Sequence, residues 1–386
     1  MTPAARVAAA IEIIDTYLGG AAAEQALSGW ARSHRFAGSK DRAAIRDHVF
    51  DALRRLKSSA ALGGAQTGRA IMIGLLRGQG ADLDAIFSGV GHAPMPLNDH
   101  EHAATGIMTR ADRLDCPEWL LPLFDHSLGA DADGVLEALR HRAPVFLRVN
   151  LARCTPAEAQ EALLKDGIAT CPHSLATAAL EVTENPRKIN ASMAYQSGMV
   201  ELQDAASQAV VEALGIEPGM RVLDYCAGGG GKSLALAALG ADVVAHDIAP
   251  ARMKDLPERA ARAGCHIQTA TPAELEALGP FDLVFADAPC SGSGSWRRAP
   301  QGKWLLTQER LEAVRATQKQ VLSKLAHHVT QAGQLAYATC SVFDVENGQQ
   351  IHVFVGENQD YVVDHEIQLS PLNGGDGFYL ARLKQK

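Results

Sequence analysis

The stretch Arg221-Val222-Leu223-Asp224-Tyr225-Cys226-Ala227-Gly228-Gly229-Gly230-Gly231-Lys232-Ser233 constrains this chain more than any other part of it. A short apolar run ends in an acidic residue, four consecutive glycines come after it, and an alanine- and leucine-rich run at helical periodicity comes next. That order reads strand, bare loop, helix. Without Cβ atoms the loop lets a ligand approach the backbone and meet the N–H groups of the helix start, so it is a nucleotide-type binding turn. A tight turn with no ligand is the weaker reading, because four glycines in a row cost backbone entropy that an ordinary turn does not require.

Near misses narrow the ligand. The dinucleotide fingerprint needs glycines at its first, third and sixth places, but counting from Gly228 the sixth place is Ser233, and from Gly229 it is Leu234. A phosphate-binding P-loop fits Gly231-Lys232-Ser233, yet its first glycine would fall at Cys226. What remains is a glycine turn with Asp224 at one strand end and Asp247 at the end of the next strand, Val243-Val244-Ala245-His246-Asp247. An acid in that second position accepts ribose hydroxyls in dinucleotide folds. With no pyrophosphate to neutralise, S-adenosylmethionine fits the pattern.

At 386 residues the chain calls for two or three domains. Its 47% hydrophobic and 21% charged residues are those of an ordinary soluble protein. A formal charge of -8 gives no general nucleic-acid signal, so RNA or DNA contact must come from local basic clusters. No apolar run has membrane-spanning length and the start lacks the features of a signal peptide, so a cytoplasmic protein without a membrane partner is expected. Seven cysteines without a C-x-x-C pair argue for free thiols. Cys171-Pro172-His173 offers two metal ligands but no partner pair, and no metal is expected.

Taken in order, residues 1–135 read as a helical domain. Ala4 to Leu18 and Asp41 to Leu56 carry apolar residues at three- and four-residue spacing, and Arg42, Arg46, Arg54 and Arg55 lie along the second of these helices. They can sit on phosphates or simply form a solvated face. Residues 136–204 read as a small α+β subdomain packed on the catalytic domain: a strand Val145–Asn150, a helix Thr155–Asp166 capped by Thr155, and a strand Ala179–Val182 in a βαβ pattern. Residues 205–386 alternate strand and helix as a mostly parallel α/β sheet does, with strands Val222–Tyr225, Val243–Asp247, Phe281–Asp287 and Gln334–Thr339. Ligands of such sheets bind outside the carboxyl ends of the strands.

Two cysteines fall at those ends, in Asp287-Ala288-Pro289-Cys290-Ser291-Gly292-Ser293-Gly294 and in Thr339-Cys340-Ser341. Beside a methyl donor a thiolate can act as a covalent catalyst: added to carbon 6 of a pyrimidine, it makes carbon 5 nucleophilic toward the methyl sulfonium. Asp287 can hold the cytosine, and Cys290 is placed to assist release as base, acid or packing. A basic cluster comes next, Trp296-Arg297-Arg298 and Lys303-Trp304, in which the cations suit phosphates and Trp296 suits either a base or the core.

On these residues the chain resembles the RNA cytosine-5 methyltransferases of the Nol/Nop/Sun group, and within it the RsmB-like enzymes of ribosomal RNA. The resemblance extends to Cys226–Lys232, to Gln203-Asp204 and to the helical amino-terminal region, which is similar to a NusB-like RNA-binding domain. It implies a Rossmann-like S-adenosylmethionine-dependent methyltransferase domain, with Cys340 as nucleophile and Cys290 as the thiol that aids product release. It also implies S-adenosylmethionine contacts from Cys226, Ala227, Gly228, Gly229, Gly230, Gly231, Lys232, Asp247 and Asp287, and RNA contacts from Arg297, Arg298 and Lys303. Two departures stand out: the glycine turn lacks the family's usual proline, and Ile267-Gln268-Thr269-Ala270 lacks the acid that many members place near the adenine. The expected partner is RNA, with ribosomal RNA favoured and transfer RNA the alternative, and a monomer is expected. A catalytically silent RNA-binding or assembly factor and a nucleoside-triphosphate-using protein are the competing readings.

Overall fold

The alanine-rich start of the chain is helical because Thr2 accepts a hydrogen bond from the Ala5 amide at 3.2 Å and Pro3 occupies the first helical position, where its missing N–H is harmless. The computed structural model, which describes residues 1–104 and 106–386, forms two units. The first contains Met1–Arg142 together with Trp296–Leu305. Its helices Pro3–Leu18, Ala23–Ser33, Ser39–Arg54, Leu56–Gly63 and Gly68–Gly78 close over Ile13, Ile14, Ile45, Val49, Leu53, Ile71 and Met72. Two glycines permit this packing. A Cβ on Gly63 would lie 1.8 Å from the Ala70 carbonyl oxygen, and one on Gly74 would lie 1.8 Å from that of Ser59, so the last two helices meet backbone to backbone.

The second unit, Ala143–Ser295 with Leu306–Lys386, holds two sheets. The smaller consists of β1 (Phe146–Val149), β2 (Thr170–Pro172), β3 (Ala179–Val182) and β4 (Val200–Leu202) in the order β2-β3-β1-β4. Here the βαβ expectation is corrected. The helix Pro156–Lys165 leads into the short β2 rather than into β3, and β3 pairs antiparallel with both β1 and β2. β2 escapes a periodicity argument because it has three residues and no buried one.

The larger sheet consists of β5 (Arg221–Asp224), β6 (Asp242–His246), β7 (Gln268–Ala270), β8 (Phe281–Asp287), β9 (Val329–Thr339), β10 (Tyr361–Leu369) and β11 (Phe378–Gln385), in the order β10-β11-β9-β8-β5-β6-β7. Strands β5 to β9 are parallel, and β11 runs antiparallel to both β9 and β10. Side chains alternate across it: Leu223, Val284, Leu335 and Tyr337 join Val321, Leu322 and Leu325 of helix Gln308–Leu325, whereas Val222, Leu283, Phe285 and Ala336 join Val210, Val211 and Leu236 on the opposite face. After β5 the chain runs outward through β6 and β7, then returns to the other side of β5 as β8. That reversal opens a crevice at the carboxyl ends of β5 and β8. No helix among the described residues is long and apolar enough to cross a membrane.

Candidate active site

The glycine turn sits at the crevice. Gly228 and Gly230 have φ of 54° and 79°, the left-handed region that a side chain disfavours, and a Cβ on Gly230 would meet Leu256 Cδ1 at 2.2 Å. The Gly228 amide donates to Asp247 Oδ2 and the Ala249 amide to Asp247 Oδ1, each at 2.9 Å, so the buried acid after β6 is tied to the turn. Arg252 pairs with Asp247 at 3.1 Å, and Arg259 donates to the Gly229 carbonyl; neither arginine stands out in the sequence. Asp224 is buried, with Oδ2 bonded to Ser233 Oγ at 2.6 Å and Oδ1 left without a partner. Burial pushes its carboxyl up to about 7, partly offset by Ser233 and Lys232. A bare cradle and an orphaned carboxylate oxygen fit S-adenosylmethionine, whose ammonium supplies donors and positive charge. The half-buried Cys226 thiol is pushed up by burial and then by the surrounding aspartates.

Lys232 reaches from the helix Gly231–Ala238 to Asp287, with Nζ 2.6 Å from Oδ2 and 4.7 Å from the Phe378 ring centre. Burial presses its pKa down, but the Asp287 carboxylate outweighs that and holds it above its ordinary value; Cys340 acts in the same direction. The glycine turn and the cysteine loops therefore share one electrostatic site.

Strand register brings the two cysteines together. Asp287 on β8 lies opposite Ala338 on β9, so Cys290 and Cys340, each just past its strand, emerge side by side with their sulfurs 3.4 Å apart. Both are half-buried. The Gly294 amide donates to the Cys340 carbonyl at 3.0 Å and closes the two loops against each other. Contact with Cys340 and burial hold the Cys290 thiol well above its ordinary range, and the negative charges of Glu346 and Asp287 add to this.

The basic cluster departs from its expected role. Arg297 and Lys303 are buried, 5% and 1% exposed, in the segment that belongs to the helical unit, and only Arg298 of the three is exposed. The Trp296 ring is buried with Phe124 6.1 Å away, and the Trp304 indole donates to the Leu53 carbonyl at 2.7 Å. Lys303 is pressed down to about 8 by burial, against the pull of Asp115. Phosphate contact requires exposed charge, so Arg297 and Lys303 are structural here. The arginines of helix Ser39–Arg54 are likewise partly consumed: Arg54 is buried and donates to the Arg297 carbonyl at 2.7 Å, while Arg46 pairs with Glu24. Arg55, just beyond that helix, donates to the Arg140 carbonyl.

A seven-stranded sheet that reverses beside a glycine turn, with the antiparallel β11 inserted between β9 and β10, together with the matches that follow, places the catalytic unit in the Rossmann-like class of S-adenosylmethionine-dependent methyltransferases. Residues 211–384 match the family described as 16S rRNA methyltransferase RsmB/F, and residues 116–189 match the ferredoxin-like domain of RsmF/B-like methyltransferases. The chain is 32% identical over 282 residues to the ribosomal RNA small subunit methyltransferase B of Pectobacterium atrosepticum, covering 69% of this chain and 66% of that protein. It is 33% identical over 290 residues to the Vibrio cholerae protein of the same name, covering 72% and 67%. The chain therefore belongs to the RsmB/F methyltransferase family, and its match spans about two thirds of the length of these curated relatives. The crystal structure of PH0851 shares the fold across 100% of this chain and 99% of that one, with a TM-score of 0.76 at 21% identity.

Proposed function

We propose that this protein transfers a methyl group from S-adenosylmethionine to carbon 5 of a cytosine in RNA, through a transient bond to Cys340. The observation that carries this reading is the pair of half-buried thiols, 3.4 Å apart at the ends of adjacent strands and next to the Lys232–Asp287 pair of the glycine turn. Ribosomal RNA is the favoured substrate because the relatives carry it in their names.

The backbone of Cys226 to Lys232, the unpartnered Asp224 oxygen and Asp247 would hold the cofactor, which when bound supplies an electrophilic methyl on sulfur. Cys340, as thiolate, adds to carbon 6 of the ring and so makes carbon 5 nucleophilic. Asp287, one oxygen held by Lys232, accepts from the cytosine amine with the other. The carbon-5 proton passes to solvent water, its bonding pair re-forms the carbon 5–carbon 6 double bond, and the carbon 6–sulfur bond breaks to release Cys340 as thiolate and restore the ring. Cys290, held as a thiol against that sulfur, is close enough to hand it a proton.

RNA contact falls to exposed cations. Besides Arg298, the helical unit presents Arg32, Arg35 and Lys40, which are exposed and make no ion pair among the described residues. They flank Phe36, 73% exposed, and the stacked rings of Trp30 and His34. Cations around an open aromatic suit phosphates and an unpaired base.

The test is transfer of labelled methyl from S-adenosylmethionine to unmodified ribosomal and transfer RNA in parallel, with subsequent digestion to nucleosides. Label in 5-methylcytidine from ribosomal RNA is expected. Label from transfer RNA alone would move the substrate, and no label with cofactor binding intact would overturn the catalytic reading.

A further inference from the structure

Glu346, seven residues past Thr339 and part of no motif, is fully buried and makes no ion pair among the described residues. A buried carboxylate without a cation is expensive unless neutral donors saturate it, and here they do. Oε1 accepts from the Ser291 amide at 2.8 Å and from Gln318 Nε2 at 3.0 Å, while Oε2 accepts from the hydroxyls of Ser291 and Ser341, each at 2.5 Å. Ser291 comes directly after Cys290, and Ser341 directly after Cys340. One carboxylate thus joins the two cysteine loops, and it also fixes Gln318, which donates to the Pro289 carbonyl just before Cys290 at 2.9 Å. The glutamate is itself anchored, because the Tyr337 hydroxyl donates to its carbonyl at 2.8 Å.

The two loops depend on this carboxylate unequally. Cys340 stands at the end of β9 and is gripped from both sides by Asn347, which accepts from Thr339 Oγ1 at 2.5 Å and donates to the Ser341 carbonyl at 2.9 Å. Between Ala288, whose amide donates to Ala338, and Gly294, whose amide donates to Cys340, the Cys290 loop leans on Glu346 and on Gln318. Ser293 adds further ties to the Cys340 side, its hydroxyl accepting from the Val342 amide at 2.9 Å and sharing a hydrogen bond with the Ser341 hydroxyl, also at 2.9 Å, while the Ser291 and Ser341 hydroxyls lie 3.3 Å apart.

We propose that Glu346 is a positioning residue for product release: its carboxylate holds the Cys290 loop so that this thiol stays against the Cys340 sulfur. The consequence for release rests on the cytosine-5 reading above; the positioning itself does not. Glu346→Gln keeps the shape but exchanges an acceptor-only group for one that also donates toward two hydroxyls, and Ser291→Ala removes a single strand of the same tie.

The experiment has two arms. In the first, the folded proteins are treated with diamide, which takes two electrons and two protons from a thiol pair, and formation of the Cys290–Cys340 disulfide is monitored by peptide mass spectrometry. The wild type should form it readily, and both variants should slow it on the order of tenfold. In the second, single-turnover methyl transfer and the covalent protein–RNA adduct are measured together. Transfer should stay within roughly threefold of the wild type while adduct accumulates on the order of tenfold, since a misplaced group far from the bond being made mainly slows its own step. Unchanged disulfide formation in both variants would overturn the proposal even if their melting temperatures fall. A wild type that forms the disulfide but neither methylates RNA nor forms an adduct would refute the functional reading, leaving the disulfide rates to decide the positioning role.

Discussion

Burial holds the Asp224 carboxyl toward its protonated form. The Asp224 carboxyl, pushed by burial up to about 7 from an ordinary 3.8, keeps its proton in the folded chain where the unfolded chain has already lost it. The stability it contributes therefore falls as pH rises from about 4 to about 7, by roughly 4 kcal/mol at most. A cationic ligand group beside the orphaned oxygen favours the ionised form. Affinity for S-adenosylmethionine is thus expected to rise by about tenfold between pH 6 and pH 8, with Asp224→Asn abolishing that dependence, as isothermal titration calorimetry would show. For the thiols an asymmetry is expected. Cys340→Ala should abolish both transfer and adduct, because no bond to carbon 6 can form. Cys290→Ala should allow attack but slow elimination, leaving protein attached to RNA on a denaturing gel; equal, mild losses in both would overturn the assigned roles.

At the scale of elements, the β5–turn–helix unit works because its backbone is stripped of side chains where a ligand must approach. Gly230→Ala places a Cβ at a left-handed φ and against Leu256. It should lower stability by about 1–2 kcal/mol in denaturant unfolding and weaken cofactor binding by more than that loss explains. The four predicted strands of the larger sheet are present within a residue or two, apart from an earlier start of β9, because buried parallel strands read as short apolar runs. The hairpin β10–β11 is much harder to see. β10 runs Tyr-Val-Val-Asp-His-Glu-Ile-Gln-Leu, is mostly exposed at the sheet edge, and shifts register between Val363 and His365, which breaks the alternation that marks a strand.

At the scale of the molecule, the question is which cations remain for RNA once the chain has folded. Trp296–Leu305 groups with the helices rather than with the sheet that precedes it, and this takes Arg297 and Lys303 out of solvent. Replacing Arg32, Arg35 and Lys40 together by Gln should reduce the slope of log affinity against log salt for single-stranded RNA by about 2. Lys303→Met should leave that slope unchanged. A fall in slope with Lys303→Met and none with the triple variant would restore the contacts expected from the sequence.

The order of residues is enough to bring the candidate groups of the crevice together. Glycines, aspartates and cysteines at strand ends must share one edge of a parallel sheet, because alternating strand and helix delivers every strand in the same direction. Which charges stay exposed and what holds the loops are matters of packing. Lys303 and Arg298 are both cations of one short stretch, and packing buries the first and leaves the second exposed. Glu346 gains its meaning from Ser291, Gln318 and Ser341, which come from three separate stretches of chain. A hydrogen bond across such distances depends on how the strands and helices come to lie, and no local pattern of residues records it.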